Sequence, residues 1–402
     1  MAHTHHDHAH KADNYFLPAG TWASGRNAFA FVALAGWLGV AAGFLTDRKE
    51  FFPAYLVAFL FFVSIAIGAT FYVMVQHLTG SAWSVTVRRL MESLMRSMPV
   101  FVVLFIPLAF GIHELYHWSH AEAAQDPILS QKLSYLNDKW FLIRSFGVLL
   151  ILSLFATRLW SHTRRQDESG SLQHTFAAEK WSAPGLIVLF LGGSVLAFDL
   201  IMSLDPHWFS TMFGVIFLTG GAMAFMATLI IACLGLRRSG YLTHTINEEH
   251  YHDLGKWLFA LTVFWAYTSF SQYMLIWYGN LPEEIMWFEH RLKGSWLWVS
   301  LLLVAGHFLV PFFALMPRAM KRKRGVLAFF AGWLLLMHFV DLYWQVMPVF
   351  HPHGFAFSWI NLAAMAAVGG SMGLVFWSGF REKPLIPVGD PRLSKALAFH
   401  NV

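Results

Sequence analysis

The 402-residue sequence predicts an all-α polytopic membrane protein with ten transmembrane helices. Three observations lead there. The chain is 57% hydrophobic and 13% charged, against roughly 25% charged in an average soluble domain. Ten apolar stretches each approach the roughly 20 residues that a helix needs to cross a bilayer. None shows the period-2 alternation of a transmembrane β-strand. One soluble core could not hide that much apolar surface. Hydrocarbon can, provided each crossing satisfies its own backbone groups, as a helix does.

The elements follow in order. A polar segment, 1–26, precedes the first span and shows no small-residue cleavage pattern, so no removable signal peptide is expected. It carries His3, His5, His6, His8 and His10. A His-rich tract can bind metal, but only Asp7 and Asp13 accompany it, so the expectation is a disordered tail without a closed zinc site. The transmembrane region runs over 27–379. The first two spans are placed at 27–45 and 53–75. Between 76 and 96, Arg88, Arg89 and Arg96 stand among Leu90, Met91, Leu94 and Met95, the pattern of an amphipathic helix on the cytoplasmic surface.

The third span, 97–116, contains Pro99 and Pro107, which should kink it. The fourth, 140–160, leads into a polar stretch, 161–182, that reads as a flexible linker. The fifth (183–203) and sixth (208–236) are joined by a tight link, and the sixth is long enough to tilt or emerge. Its Cys233 is the single cysteine of the chain, which excludes an internal disulfide and an iron–sulfur cluster held by this chain alone. The seventh span, 254–277, and the loop after it gather Trp265, Tyr267, Tyr273, Trp277, Tyr278 and Trp287. An interfacial belt accounts for most of these, and a surface for stacking a quinone ring is the alternative. The eighth (295–316, with Pro311), ninth (325–346) and tenth (357–379) spans follow, then a C-terminal tail, 380–402. Loops 117–139 and 278–294 exceed what a turn needs and leave room for a partner or a cap.

Basic residues set the expected orientation. Twenty of the 28 Lys and Arg residues lie in or beside the flanks that include both termini, and seven lie on the opposite flanks. Both termini are therefore expected in the cytoplasm. The net charge of +5 follows from that bias; no nucleic-acid recognition module accompanies it. No Walker loop, dinucleotide fingerprint or Ser–His–Asp order is present.

Ionisable groups inside spans cost at least about 2.5–3.5 kcal/mol each, which makes them functional candidates. The fifth span carries Asp199, the seventh Gln272 and Tyr273, and the eighth His307. The ninth carries His338, Asp341 and Gln345, spaced i, i+3 and i+7 on one face. At a rise of about 1.5 Å per residue, Asp199 lies roughly 6 Å inside the outer boundary, Gln272 and Asp341 roughly 7–8 Å, His338 roughly 12 Å and His307 roughly 18 Å. Facing one another, they would form a proton path from the outer face to mid-membrane. Hydrogen bonding between helices is the structural alternative. A second cluster is expected at the outer face: His113, Glu114 and His117, with Glu114 placed to pair with Arg144, and Asp205 and His207 in the link between the fifth and sixth spans. Asp205 before Pro206 fits a turn that opens the sixth helix. No catalytic residue and no metal site is assigned.

Two segments carry a resemblance, Met202-Ser-Leu-Asp-Pro-His-Trp-Phe-Ser-Thr-Met-Phe-Gly214 and Trp265-Ala-Tyr-Thr-Ser-Phe-Ser-Gln-Tyr-Met-Leu-Ile-Trp-Tyr-Gly-Asn-Leu-Pro-Glu-Glu284. Together they resemble the ActF-type membrane subunits of bacterial alternative complex III, within the NrfD-like (polysulfide reductase membrane-anchor) family. The resemblance extends over all ten spans. It implies two four-helix bundles, spans 2–5 and 6–9, with spans 1 and 10 peripheral. It implies a multi-pass subunit of the bacterial inner membrane, in a respiratory complex that oxidises quinol, ubiquinol or menaquinol, and passes electrons to a cytochrome c or an oxidase. The expected partners are an iron–sulfur subunit, multihaem cytochrome c subunits, a second NrfD-like subunit (ActC), a terminal oxidase and membrane lipids. Haem c and iron–sulfur clusters would sit in those partners, and this chain would hold no redox centre. A role in proton translocation or in the structure of a quinol site is implied. Asp199, Asp205, His207, Gln272, Tyr273 and Glu283 lie in or beside the matched segments.

Two other functions compete. A secondary transporter would also have many spans and buried charges. A b-type haem anchor needs facing axial histidines; His338 and His351 have a suitable spacing, but Pro348 and Pro352 interrupt the helix between and beyond them.

Overall fold

The computed structural model describes residues 13–400. Ten long helical segments dominate: α1 (Ala19–Thr46), α2 (Arg48–Leu78), α3 (Val85–Phe110), α4 (Asp138–Ser169), α5 (Leu172–Leu200), α6 (Phe213–Arg238), α7 (Glu248–Gly279), α8 (Trp296–Leu315), α9 (Arg324–Val346) and α10 (Trp359–Ser378). Among the described residues there is no strand, only an isolated bridge between Phe16 and Pro384. The all-α polytopic fold is as expected, with one difference in count. Nine of these helices, not ten, are long and apolar enough to cross a membrane. The remaining one, α7, is a continuous 32-residue helix, but Tyr267, Thr268, Ser269, Ser271, Gln272 and Tyr273 occupy its second half and lower its hydropathy.

Large apolar side chains point outward along the helices. Phe31, Ile187, Leu191, Phe270 and Phe313 are all exposed, as lipid-facing positions must be when the solvent is hydrocarbon. Inside, α2 and α6 form the centre. α2 packs with α3 and α5, and α4 packs with α3 and α5; α6 packs with α7 and α9, and α8 lies against α7 and α9. The two groups match the expected bundles. α1 and α10 pack on each other at the edge, with α10 against α2. The central crossing is close because it is made of glycine: a Cβ on Gly68 would stand 2.6 Å from the Gly221 carbonyl oxygen, and one on Gly221 would stand 2.7 Å from that of Ser64. Small residues permit such backbone approach between membrane helices.

Several boundaries differ from the sequence expectation. α1 begins eight residues earlier than placed, and residues 13–16 are folded onto the chain. Asp13 accepts hydrogen bonds from Thr243, His244 and Thr245, and the Tyr15 carbonyl accepts from the Leu385 amide at 2.7 Å. The histidines at 3–10 lie outside the described residues. The supposed surface helix is the first part of α3, and every residue of Val85–Met95 is buried. Its apolar side meets α2, while its charges pair internally: Arg88 with Glu92 and Asp390, Arg89 with Glu92 and Asp167. The C-terminal tail supplies Asp390 and covers this helix. The flexible linker at 161–182 is instead two helix ends. α4 runs to Ser169, Gly170 takes the left-handed conformation (φ 63°) and Ser171 caps α5.

Proline marks the irregular turns. α3 is broken ahead of Pro99 and of Pro107. In α8, a π-helical stretch over Leu303–Leu309 immediately precedes Pro311. Proline has no N–H and clashes with the carbonyl four residues back, so the wider turn accommodates it. The Gly306 carbonyl accepts a hydrogen bond from Trp333 Nε1 at 2.7 Å.

Candidate functional site

The face that carries both ends of the described chain is termed here the tail face; the opposite one, with residues 111–137, 201–212, 280–295 and 347–358, is the loop face. A buried polar seam lies inside the second bundle, beneath the loop face. It starts from the stripe on α9. His338, Asp341 and Gln345 are all buried there, facing α6, α7, α8 and the central part of α2.

Asp341 accepts a hydrogen bond from Trp265 Nε1 of α7 at 3.1 Å, and Gln345 bonds to the same carboxyl. No cation pairs with it among the described residues. A face of the Trp265 ring stacks on the His307 ring, with centroids 3.7 Å apart. His307 sits on the π-helical stretch of α8, and both its ring nitrogens are buried without a hydrogen-bond partner among the described residues. Such stretches recur at functional sites. His338 Nε2 lies 2.9 Å from Ser64 Oγ of α2. That hydroxyl donates to the Phe61 carbonyl at 2.8 Å, so Nε2 carries the ring proton and Nδ1 is left a free acceptor. The glycine at 220 makes room for this ring: a Cβ there would stand 3.1 Å from His338 Nδ1. Buried oxygens of Gln272 and Gln345 also have no partner among the described residues. The seam thus holds proton donors and acceptors in excess of the bonds they make, unusual for groups that are normally satisfied when buried.

A buried arginine closes the seam toward the loop face. Arg291, at the end of the short helix Pro282–Arg291, donates to the carbonyls of Trp287 (2.8 Å), Gln345 (2.7 Å) and Trp344 (3.2 Å). Its guanidinium lies 3.6 Å from the Trp287 ring centroid. Two of those carbonyls belong to the C-terminal turn of α9, the negative end of its dipole. Burial pulls the Arg291 guanidinium down to about 9, and Asp205 acts in the opposite direction. Trp208, from the link between the bundles, stacks on Trp287 at 4.6 Å and donates to the Glu284 carbonyl at 3.1 Å. Segments 202–214 and 265–284, remote in sequence, therefore meet over the seam.

Asp199 does not join it. Arg144 of α4 grips its carboxylate with two hydrogen bonds, 2.8 and 3.1 Å. Tyr135 hydrogen-bonds the same carboxylate and lies 3.7 Å beneath the guanidinium. Asp199 is a closed ion pair in the first bundle, separate from the ladder the sequence suggested. The expected pair of Glu114 with Arg144 is likewise replaced: Glu114 binds Arg48, at the start of α2, at 2.6 Å. Arg144 lies nearly two turns inside α4, level with Asp199, whereas Glu114 stays at the loop face.

The remaining outer-face residues are scattered. His113 contacts Ser119 at 3.0 Å and is mostly exposed. His207 binds Asp126 at 2.8 Å, and that hydrogen bond holds the Asp126 carboxyl down to about 2. Asp205 ends a short turn rather than capping α6, which starts eight residues later at Phe213. Glu283 is exposed in the first turn of its short helix. Tyr273 is half-buried against Phe288, not in the seam. His351 binds Glu50 at 2.9 Å and does not face His338. Among the described residues, no group of three or more His, Cys, Asp and Glu side chains could hold a metal ion.

Sequence reasoning missed Ser64, Trp265 as a donor, and Arg291. A lone serine in an apolar helix and an arginine in a loop carry no periodic signal. The i, i+4 spacing of Trp287 and Arg291 is the one cue that was present. No protein-family model matches the chain, and no curated protein matches it.

Proposed function

We propose that this integral membrane protein is a proton-handling subunit of a quinol-oxidising respiratory complex, of the ActF type found in alternative complex III. The observation that carries the reading is the seam. A carboxyl without a counter-cation, Asp341, lies one turn from His338 and is linked through Trp265 to His307. Protonation neutralises a carboxylate in hydrocarbon at no cost in packing. Imidazoles deeper in the bundle, each with a free nitrogen, can relay that proton. Arg291 places a buried positive charge at the loop-face end, which discourages entry of other cations.

Assembly is part of the proposal. The two segments resembling ActF-type subunits form one patch over the seam, which supports docking of the iron–sulfur and multihaem cytochrome c subunits there. A second NrfD-like subunit, ActC, would hold the quinol pocket, and menaquinol or ubiquinol would be the reductant. Redox centres would reside in the partners, both termini in the cytoplasm, and the complex in the bacterial inner membrane. The test is purification of the native protein in mild detergent, with mass spectrometry of its partners and a visible spectrum. Co-purified multihaem cytochrome c and iron–sulfur subunits are expected. A colourless protein that purifies alone and carries a solute in vesicles would overturn the reading.

A further inference from the structure

The tail face holds a feature unrelated to the seam. Between the ends of α4 and α10 lies a cleft of about 440 Å3. Arg96, Arg164, Arg165, Arg381 and Lys383 line it, with Glu168 as the only acidic lining residue among the described residues. Arg96 is partly engaged, donating to Ser378 Oγ at 2.8 Å and to the Val375 carbonyl at 3.2 Å. Arg96 and Arg164 both stand over the Trp160 ring, 5.4 and 5.7 Å from its centroid, and repel each other. The acidic neighbours are weakly placed: Lys383 lies 3.9 Å from Glu168 and Arg381 3.8 Å from Glu382, both carboxylates being mostly exposed. Asp167 and Glu92 also act on Arg164 but are already paired with Arg89, so positive charge is in excess here.

The cleft opens onto a lipid-facing surface in register. Leu150 and Leu154 are exposed on α4, and the same helix face continues through Thr157, Ser161, Arg164 and Glu168, all of which line the cleft. An apolar strip that passes into a cationic cleft beside an interfacial tryptophan has the layout of acyl chains below a phosphate headgroup. We propose that this cleft binds an anionic glycerophospholipid, its phosphate among Arg164, Arg381 and Lys383 and one acyl chain along α4.

The experiment uses delipidated full-length protein in detergent and native mass spectrometry with phosphatidylglycerol and phosphatidylcholine of identical chains. Wild type should favour phosphatidylglycerol at least tenfold. The Arg164→Gln/Arg381→Gln/Lys383→Gln variant should lose that preference, about fivefold per charge removed, as about 1 kcal/mol per basic residue implies. A charge-matched control, Lys49→Gln/Lys139→Gln/Lys293→Gln on the loop face, should keep it. Equal binding of the two lipids by wild type, or unchanged preference in the first variant, would overturn the proposal. So would an equal loss in the control, which would show a general effect of net charge. Displacement of the lipid by equimolar inorganic phosphate would identify a free-anion site and overturn the lipid assignment.

Discussion

The last helix of each four-helix bundle buries an aspartate toward the loop face, and the two bundles treat it in opposite ways. In the first, Asp199 is held bidentately by Arg144 and bonded by Tyr135. In the second, Asp341 has, among the described residues, only the neutral donors Trp265 and Gln345, and a histidine with no hydrogen-bond partner among them stacks on the tryptophan. A closed ion pair fixes two helices and leaves no vacancy for a proton. A carboxyl among neutral partners can gain or lose one. Similar residues at similar depth are thus held in different ways, and on the proposed function the partner decides which of them can take up a proton.

Breaking the first bundle's pair should have the largest effect on stability. Arg144→Ala leaves Asp199 buried and unpaired, and a loss of about 3–5 kcal/mol is expected. Thermal unfolding in detergent should show it, with much of the loss recovered in the Arg144→Ala/Asp199→Asn double variant. If the double variant unfolds as early as the single one, the ion pair is not what holds the site.

Next comes packing at the seam. Gly220→Val places methyl groups where the His338 ring stands, and overpacking should cost about 1–3 kcal/mol. The same melts would read it; a wild-type melting temperature would mean that His338 has room the structure does not show. Ser64→Ala removes the His338 partner and should cost about 0.6 kcal/mol, the average for such contacts between membrane helices. Its effect on proton uptake should exceed its effect on stability.

The smallest effect is at the loop face. The Asp126 carboxyl is depressed from 3.8 to about 2, chiefly by its hydrogen bond with His207. Its folded-state value is lowered, so the stabilisation is present above pH 4 and lost as pH falls toward about 2. The Ile128 and Leu129 amides, which donate to Asp126, should lose hydrogen-exchange protection across that window. His207→Ala should move the midpoint up toward the ordinary value; an unmoved midpoint would assign the depression to the amides alone.

The sequence made the membrane fold legible because hydropathy reports the solvent directly. It also revealed the α9 stripe, since His338, Asp341 and Gln345 repeat at helical spacing. It could not show which helices face each other. Asp199 was joined to the wrong bundle for that reason, and Arg144 to the wrong carboxylate. The burial of the first part of α3 was illegible because Asp167 and Asp390, which pair with its arginines, lie 78 and 302 residues away from them. Arg291 was hidden because an arginine in a loop reads as solvated, while two tryptophans and three carbonyls enclose it here.

The central claim is that Asp341, and not Asp199, handles protons. The direct measurement is proton uptake from the tail-face side of vesicles that hold the native complex, during turnover with quinol and an added electron acceptor, compared between wild type and Asp341→Asn. At least a tenfold slower uptake is expected, in an assembled complex of unchanged melting temperature. Uptake at the wild-type rate would contradict it and return the seam to a purely structural role.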